Sequence, residues 1–400
     1  MSQEPREFDA VLSNSLPPKE GAILGGLAGV KSRLNSPILE VRISALTSAL
    51  NYGDAGIDLI IKSLQDVEQV QRYVIQILLH KGGAKGKQAL LDYDPKLFFT
   101  TLQHWDIQTY NPQLSITHTA YSINLNRIQA NKPDKFDLTQ LQTFLQSNQT
   151  TQIEALACKM WDDYWQHDTQ YKDFSNVMCG ACDKLPNLKA LFIGDGDAQE
   201  ANYMKSRLLL GDSTPILKAY PNLEVLQFRG GWGLKFDKVR HENLKTLMIQ
   251  TGYTLVQPQT LKDIANLDLP ALEYLEIWLA ESFHHEKDIS TEQLAPILSG
   301  KLFPNLKYLG LKSSDYTDNI AFSIVNSPLL EHLAVLDLSQ GTLTDIGAET
   351  LLKCPTINQL HTLNISNNKL SGRQLQKLSQ LNCRVIAQPQ DNGERQQTLT

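Results

Sequence analysis

A short leucine pattern recurs through the C-terminal half of this 400-residue chain and limits what the chain can fold into. The pattern is leucine, two variable residues, leucine, one variable residue and an apolar residue. Its seven copies begin at Leu188, Leu223, Leu244, Leu272, Leu306, Leu333 and Leu360. Successive copies lie 35, 21, 28, 34, 27 and 27 residues apart. Each copy alternates variable and apolar positions as a strand does, so the repetition predicts a solenoid whose strands form one parallel sheet.

The segments between the copies have the spacing of helices. Four of them open with a hydroxyl residue that can cap free N–H groups, at Ser290, Thr317, Thr344 and Ser371, and apolar residues then recur every three or four positions. The sequence therefore predicts an α/β solenoid of parallel strands with helical returns. A last strand is expected at 383–387, and the polar residues 388–400 are expected to form a disordered tail.

The N-terminal part predicts an all-helical module. Apolar residues recur at helical spacing after Pro37, Gly56, Asp66 and Pro95, with glycines between these segments. Residues 107–185 show a weaker pattern, with one helix near 136–145 and a strand near 152–161. We interpret that region as a linker and as the cap that covers the open end of a solenoid.

Two resemblances follow from particular segments. Gly21–Lys31, Ala49–Leu59, Ser63–Asp66 and Phe98–Trp105 resemble the HEAT-like N-terminal module of cyanobacterial multidomain proteins, over about residues 8 to 106. Pro186–Asp195, Phe228–Leu234 and Ile297–Leu306 resemble a bacterial leucine-rich-repeat family of ribonuclease-inhibitor-like type and undefined role. The resemblances imply an adaptor module (1–106) and a horseshoe-shaped repeat domain (186–387), with no catalytic residues to carry over.

Composition excludes several classes of function. A net charge of −6 argues against a general electrostatic grip on nucleic acid. No stretch is apolar for the length of a membrane span, and the first residues carry acids and prolines where a secretory signal needs a basic start and an apolar run. Five cysteines are an odd, sparse set, so reduced thiols and a cytoplasmic location are expected.

The variable positions of the repeat predict a binding surface. If the leucines face the core, the variable side chains form columns on the concave, solvent-facing side of the sheet. Aromatic and charged side chains gather there, namely Arg229, Tyr274, Glu276, Trp278, Tyr308, Lys312 and Asp337, and Trp232 on a nearby glycine-rich turn extends the set. Rigid rings among mixed charges are typical of a protein-binding hot spot. The alternative is that the polar insertions after Gly194 and after Leu279 cover the rings as ordinary core.

Two acidic residues on this surface leave a second interpretation open. Glu276 and Asp337 flank Gly310, two strands apart, and could act as acid and base around a water, or recognise a basic group of a partner. The sequence has neither a nucleophile elbow nor a phosphate-binding loop, and His284-His285-Glu286 lacks the spacing of a zinc protease and is expected to be a solvated loop.

Cys179-Gly-Ala-Cys182 has the spacing of half a zinc site or of a redox pair. Cys158 and His167 are the candidates to complete a metal site, and buried structural cysteines are the alternative. We predict a non-enzymatic scaffold that binds protein partners and needs no cofactor. Two alternatives stay open: a metal- or thiol-dependent site at Cys179 and Cys182, and a role in tetrapyrrole or bilin biology that similar helical repeats suggest.

Overall fold

The computed structural model describes residues 25–109, 119–125, 137–160, 168–194, 208–230, 233–250, 256–279 and 291–390. The chain forms two compact units, Met1–Phe99 and Thr100–Thr400. Within these described ranges, no helix combines the length and apolar character needed to cross a membrane.

The first unit is helical throughout its described part. Its helices are α1 (Gly26–Leu34), α2 (Leu39–Ala49), α3 (Gly53–Lys62), α4 (Glu68–Lys81), α5 (Gly83–Tyr93) and α6 (Pro95–Phe98). The predicted helices are present, and their apolar faces meet in one cluster that includes the buried side chains of Leu46, Ile60, Val74, Leu78 and Leu90. The structure shows the helical character of this unit, and its HEAT-like type stays a prediction.

One glycine lets two helices of this unit approach closely. A Cβ at Gly56 in α3 would lie 1.8 Å from the carbonyl oxygen of Ala49 at the end of α2. No side chain fits that distance, so glycine is required where these helices meet.

In the described part of the second unit, eleven strands form one parallel sheet in chain order. The strands are β1 (Asp106–Thr109), β2 (Thr119–Leu125), β3 (Ala155–Met160), β4 (Ala190–Gly194), β5 (Val225–Arg229), β6 (Thr246–Gln250), β7 (Tyr274–Trp278), β8 (Tyr308–Lys312), β9 (Val335–Asp337), β10 (Thr362–Asn364) and β11 (Arg384–Ile386). The seven leucine copies form β4 to β10, and the predicted last strand is β11. Three further strands precede them in the region predicted as a linker and a cap. Of these, β3 is the strand predicted near 152–161, and β1 and β2 were not predicted.

Helices connect many of these strands. They are α7 (Thr139–Phe144), α8 (Asp168–Cys179), α9 (Thr214–Ala219), α10 (Pro258–Ala265), α11 (Thr291–Leu298), α12 (Thr317–Ile324), α13 (Asp345–Leu352) and α14 (Gly372–Leu378). Two of the four predicted caps are present: Oγ1 of Thr344 accepts the N–H of Ile346 at 3.2 Å, and Oγ of Ser371 accepts that of Gln374 at 3.2 Å. The prediction at Thr317 is wrong, because Thr317 lies inside α12 and its hydroxyl donates to Ser314, and Ser290 lies outside the described residues. The predicted α/β solenoid is confirmed.

The repeat leucines lie on the helix side of the sheet. Alternate strand residues such as Leu191, Leu226 and Leu275 pack with apolar residues of the helices, for example Ile216 and Ile264, in one continuous core. The other strand residues therefore lie on the opposite side, which we call the far face. Its first column is Ala190, Val225, Thr246, Tyr274, Tyr308, Val335 and Thr362.

Side chains also join neighbouring repeats where the strands begin. Asparagines donate to backbone carbonyls of the preceding repeat, as Asn222 does to Pro186 (3.1 Å) and Asn305 to Pro270 (2.8 Å). Ion pairs join Lys189 to Glu154 at 2.6 Å and Lys245 to Glu224 at 2.7 Å. Such contacts fix the register between adjacent repeats, as in other solenoids.

Several predicted features lie outside the described residues. They are the insertion after Gly194, the insertion after Leu279 with His284-His285-Glu286, Trp232 of the glycine-rich turn, His167, and residues 391–400 of the predicted tail 388–400. The expectation of disorder is wrong for residues 388–390, where Pro389 and Gln390 form hydrogen bonds with Asn367 and Leu370.

Candidate functional site

Strands β7, β8 and β9 bring six of the predicted site residues together on the far face. In register, Tyr274 lies beside Tyr308, Trp278 beside Lys312, and Gly310 between Glu276 and Asp337. The intervening residues Leu275 and Leu309 face the core, so the alternation of the strand sets this arrangement. We call these six residues the far-face cluster: Tyr274, Glu276, Trp278, Tyr308, Lys312 and Asp337.

The two tyrosines of the cluster are stacked. Their ring centroids lie 3.9 Å apart with 14° between the ring planes. Gly310 leaves room for this arrangement, because a Cβ there would lie 3.1 Å from both Cγ of Glu276 and Cε1 of Tyr308. A glycine in the middle of a strand, which costs stability elsewhere, here allows its neighbours to approach.

The carboxylate of Glu276 is the centre of the hydrogen-bond network. Its Oε2 accepts from the hydroxyl of Tyr274, and its Oε1 accepts from Nε1 of Trp278 at 2.6 Å. The hydroxyl of Tyr308 lies 3.4 Å from Oε2, and the ammonium of Lys312 lies 3.7 Å from Oε1. Donors therefore surround the carboxylate, as a buried charge requires.

Asp337 and Lys312 complete the cluster. Oδ2 of Asp337 accepts from the Tyr308 hydroxyl at 2.8 Å, and its Oδ1 accepts the N–H of Ser339 at 2.9 Å. The Lys312 ammonium also lies 4.8 Å from the centre of the Trp278 ring. One tyrosine hydroxyl thus lies between both acidic side chains, and one cation contacts both an acid and a ring.

Burial and neighbouring negative charges both raise the pKa of the two tyrosines. The pKa of Tyr274 is raised well above its usual value, first by burial and then by the charge of Glu276. The pKa of Tyr308 is raised well above its usual value by burial and by the charge of Asp337. Both hydroxyls stay protonated near neutral pH, so both remain hydrogen-bond donors to the acids.

The expectation that these side chains face solvent is wrong. The exposed fractions are 0% for Tyr274, 7% for Trp278 and 1% for Tyr308, and 0% for Glu276, 5% for Lys312 and 1% for Asp337. The sequence gives the column that each residue occupies and not what covers that column. The cluster is a buried polar network in which Glu276 pairs with Lys312 and the carboxylate of Asp337 accepts hydrogen bonds from Tyr308 and Ser339.

Arg229 belongs to a separate polar group on β5 and β6. Its Nε donates to Oε1 of Gln250 at 3.2 Å, and Nε2 of Gln227 donates to the same oxygen at 3.1 Å. The guanidinium carbon also lies 5.6 Å from the centre of the Phe192 ring. These three polar side chains are partly exposed. We call Gln227, Arg229 and Gln250 the Arg229 patch.

A short segment that the repeat pattern does not include lies on the far face of the earlier strands. Residues Thr100–Trp105 contain a 3₁₀ turn at Leu102–His104. Leu102 and Trp105 pack in an apolar cluster distinct from the core, with Ala120, Ala155, Ala157, Ala190, Phe192 and Val225. We call this segment the strap. Its only sequence signal is an apolar pair three residues apart just before the first strand, opposite strands rich in alanine.

The cysteines do not form a metal centre within the described residues. Cys158 is buried in β3, whereas Cys179 at the end of α8 and Cys182 are partly exposed, and all five cysteines are free thiols. Burial raises the pKa of Cys179, and a hydrogen bond from Ser175 partly offsets this. No group of three or more histidine, cysteine, aspartate or glutamate side chains with metal-binding proximity occurs in the described part of the chain.

Comparison with solved structures supports the fold. A Bacteroides fragilis protein solved by the Northeast Structural Genomics Consortium is 27% identical, with a TM-score of 0.55, and the match covers 63% of this chain and 69% of that one. An internalin from Listeria monocytogenes is 16% identical over 61% of this chain and 82% of its own, with a TM-score of 0.22, and is too distant to bear on function. No protein-family model and no curated protein matches the sequence. The parallel strands and their helical connections define the class of protein as an α/β solenoid.

Proposed function

We propose that this chain is a non-enzymatic scaffold that binds protein partners through the far face of its sheet and through its helical unit. The observation that carries the proposal is the Arg229 patch, which places three partly exposed polar side chains on the far face of a continuous parallel sheet. Repeat sheets of this kind offer an extended surface that contacts a partner at many points.

The geometry of the two acids favours this role over catalysis. A general base must lie within hydrogen-bond reach of the proton it removes, whereas Glu276 and Asp337 are buried, with exposed fractions of 0% and 1%. Glu276 instead accepts hydrogen bonds from Tyr274 and Trp278, and Asp337 accepts them from Tyr308 and Ser339. The acids thus hold their neighbours in place, and the far-face cluster acts as a rigid foundation within the sheet.

Direct contact with a partner is assigned to the Arg229 patch. Arg229 is partly exposed, stacks near Phe192 and is oriented by Gln250, so its planar guanidinium is fixed before a partner binds. Fixing a side chain in advance reduces the entropy lost on binding. Trp232, three residues further along the chain, is proposed to extend this surface.

The helical unit offers a second contact surface. Ile38 and Val67 are large apolar side chains with exposed fractions of 54% and 49%, at the starts of α2 and α4. An ion pair between Arg42 and Asp66 links the same two helix starts. Exposed apolar side chains beside a charge pair suit a protein partner. The scaffold is proposed to act in the cytoplasm, in keeping with five free cysteines.

The test compares partner binding by matched arginine variants. Arg229→Ala removes the proposed contact, and Arg240→Ala serves as control because Arg240 is exposed and paired with Glu242 and Asp268 outside the far face. We expect the wild type and the control to retain the same partner from a lysate of the source organism. Purified partner should bind Arg229→Ala at least ~10-fold more weakly, which corresponds to about 1.4 kcal/mol. Equal binding by all three proteins would contradict the role of the far face.

A second pair of variants tests the helical unit. The double variant Ile38→Ser, Val67→Ser should lose binding of a second partner and should still bind the partner that depends on Arg229. If circular dichroism shows that this double variant is folded and it still binds both partners, the helical unit has no part in partner binding.

A further inference from the structure

The strap, residues Thr100–Trp105, occupies a surface that would otherwise be open to a partner. Its two large side chains are almost buried, with 7% of Leu102 and 7% of Trp105 exposed. Beneath them lie small far-face residues, among them Ala120, Ala155 and Ala190. Alanines in place of larger residues leave a depression in the sheet surface, and the strap fills it.

The contacts that hold the strap are mainly side-chain contacts. Its carbonyl oxygen at Thr100 accepts from the Thr246 hydroxyl, and Nε1 of Trp105 donates to Oε2 of Glu154 at 3.5 Å. The backbone N–H groups of His104 and Trp105 bond within the strap, to Thr101 and Leu102, both at 3.1 Å. A segment whose backbone bonds are local can leave the sheet without breaking a strand ladder.

The depression is continuous with the Arg229 patch. Phe192 packs in the strap cluster and also lies under the guanidinium of Arg229. A partner that contacts Arg229 therefore meets the edge of the surface that the strap covers.

We propose that the strap is a built-in competitor, which occupies a peptide-binding surface on the far face of β2–β5 until a partner displaces it. The displacing ligand is an apolar peptide that forms one 3₁₀ turn with a leucine and an aromatic residue three positions apart, because the strap occupies this surface with Leu102 and Trp105 in such a turn. The inference rests on the proposed function, since it concerns the same face of the sheet. Because only molecules with a displaced strap can bind, the apparent affinity for the peptide equals the intrinsic affinity multiplied by the fraction of molecules in which the strap is open.

The experiment uses the full chain and a labelled peptide with the sequence of residues 100–106, Thr-Thr-Leu-Gln-His-Trp-Asp. Wild type should bind this peptide weakly, because its own strap competes. The Leu102→Ala, Trp105→Ala variant should bind it at least ~10-fold more tightly, because the open fraction rises. Adding Phe192→Ala to that variant, or replacing the tryptophan of the peptide by alanine, should abolish the gain. Equal affinity for wild type and variant would overturn the proposal.

A second measurement needs no variant. In the wild type, the amide hydrogens of His104 and Trp105 should exchange with solvent at least ~100-fold faster than the strand amide of Val225, which bonds to Lys189. Exchange of the strap at the rate of the strand would show that the two open only together, and would refute the proposal. The Arg229→Ala comparison does not depend on opening of the strap, so failure here is distinguishable from failure of the proposed function.

Discussion

Replacing Glu276 by glutamine tests the far-face cluster most directly. The substitution keeps the size and shape of the side chain and removes its charge. Glu276 is fully buried, and its carboxylate faces the ammonium of Lys312 and the donors of Tyr274 and Trp278. A neutral amide would leave Lys312 buried without its paired charge and would turn an N–H₂ group toward one of the donors.

The expected loss of stability follows from that geometry. Breaking a buried ion pair by removing one partner typically costs about 3 to 5 kcal/mol. We expect the lower end, about 3 kcal/mol, because the ammonium lies 3.7 Å from the carboxylate and keeps its contact with the Trp278 ring. With a denaturant slope of about 3 kcal/mol per molar, the urea midpoint should fall by about 1 M.

Tryptophan fluorescence reads out this effect selectively. All five tryptophans, at 105, 161, 165, 232 and 278, lie in the second unit. Urea unfolding followed by fluorescence therefore reports the sheet unit alone, while circular dichroism also includes the helical unit. The urea midpoint measured by fluorescence should fall, whereas the contribution of the helical unit to circular dichroism should stay as in the wild type.

A surface acid provides the matched control. Glu224 forms an ion pair with Lys245 and keeps 25% of its side chain exposed, so Glu224→Gln should cost no more than about 1 kcal/mol. Lys312→Met should cost less in the Glu276→Gln background than in the wild type, because the buried charge has already lost its partner. A Glu276→Gln variant as stable as the control would refute the reasoning, since it would mean that the buried carboxylate is not needed.

Two further predictions concern single positions in the same sheet unit. A Cβ at Gly310 would press on Glu276 and Tyr308, so Gly310→Ala should lower the free energy of unfolding by about 1 to 3 kcal/mol in the fluorescence assay. Gly372→Ala is the control and should leave stability unchanged, because a Cβ there has nothing within 4 Å. An unchanged urea midpoint for Gly310→Ala would contradict the packing argument. Buried His241 accepts the N–H of Leu244 at 3.1 Å, and burial lowers the pKa of His241 below the ordinary 6.5. As the pH falls, His241 therefore gains its proton in the unfolded chain before it does so in the folded protein. Stability should fall as the pH drops from about 6.5 through the folded-state pKa. His241→Gln should flatten that part of the pH profile, and a wild-type midpoint constant between pH 7.5 and 5 would count against it.

The repeat itself was predictable because it is local and periodic. Leucines at fixed positions, such as Leu191 and Leu226, report which side of each strand faces the core, and hydroxyl residues such as Thr344 and Ser371 report where helices begin. Strands β1 to β3 did not stand out as repeats, because other residues replace the leucines there, for example Tyr121 in β2 and Cys158 in β3.

The site was predicted in part. Strand alternation placed Tyr274, Glu276 and Trp278 on one face and set Tyr308 and Lys312 beside them, as the structure has them. Their exposure was predicted wrongly, because strand alternation tells which face of the sheet a side chain points to and does not tell whether other parts of the chain cover that face. The far-face cluster is buried and Glu276 pairs with Lys312 within it, and neither property follows from residue spacing.

The sequence by itself determined the α/β solenoid, the residues on each face of its sheet and the all-helical character of the first unit, because each depends on periodicity within a few turns or strands. Tertiary structure alone decided which of those faces is covered. The strap shows why: the Thr246 hydroxyl bonds to a carbonyl oxygen 146 positions earlier in the chain, at Thr100. Contacts between such distant residues depend on the folded path of the chain and leave no periodic signal in the sequence.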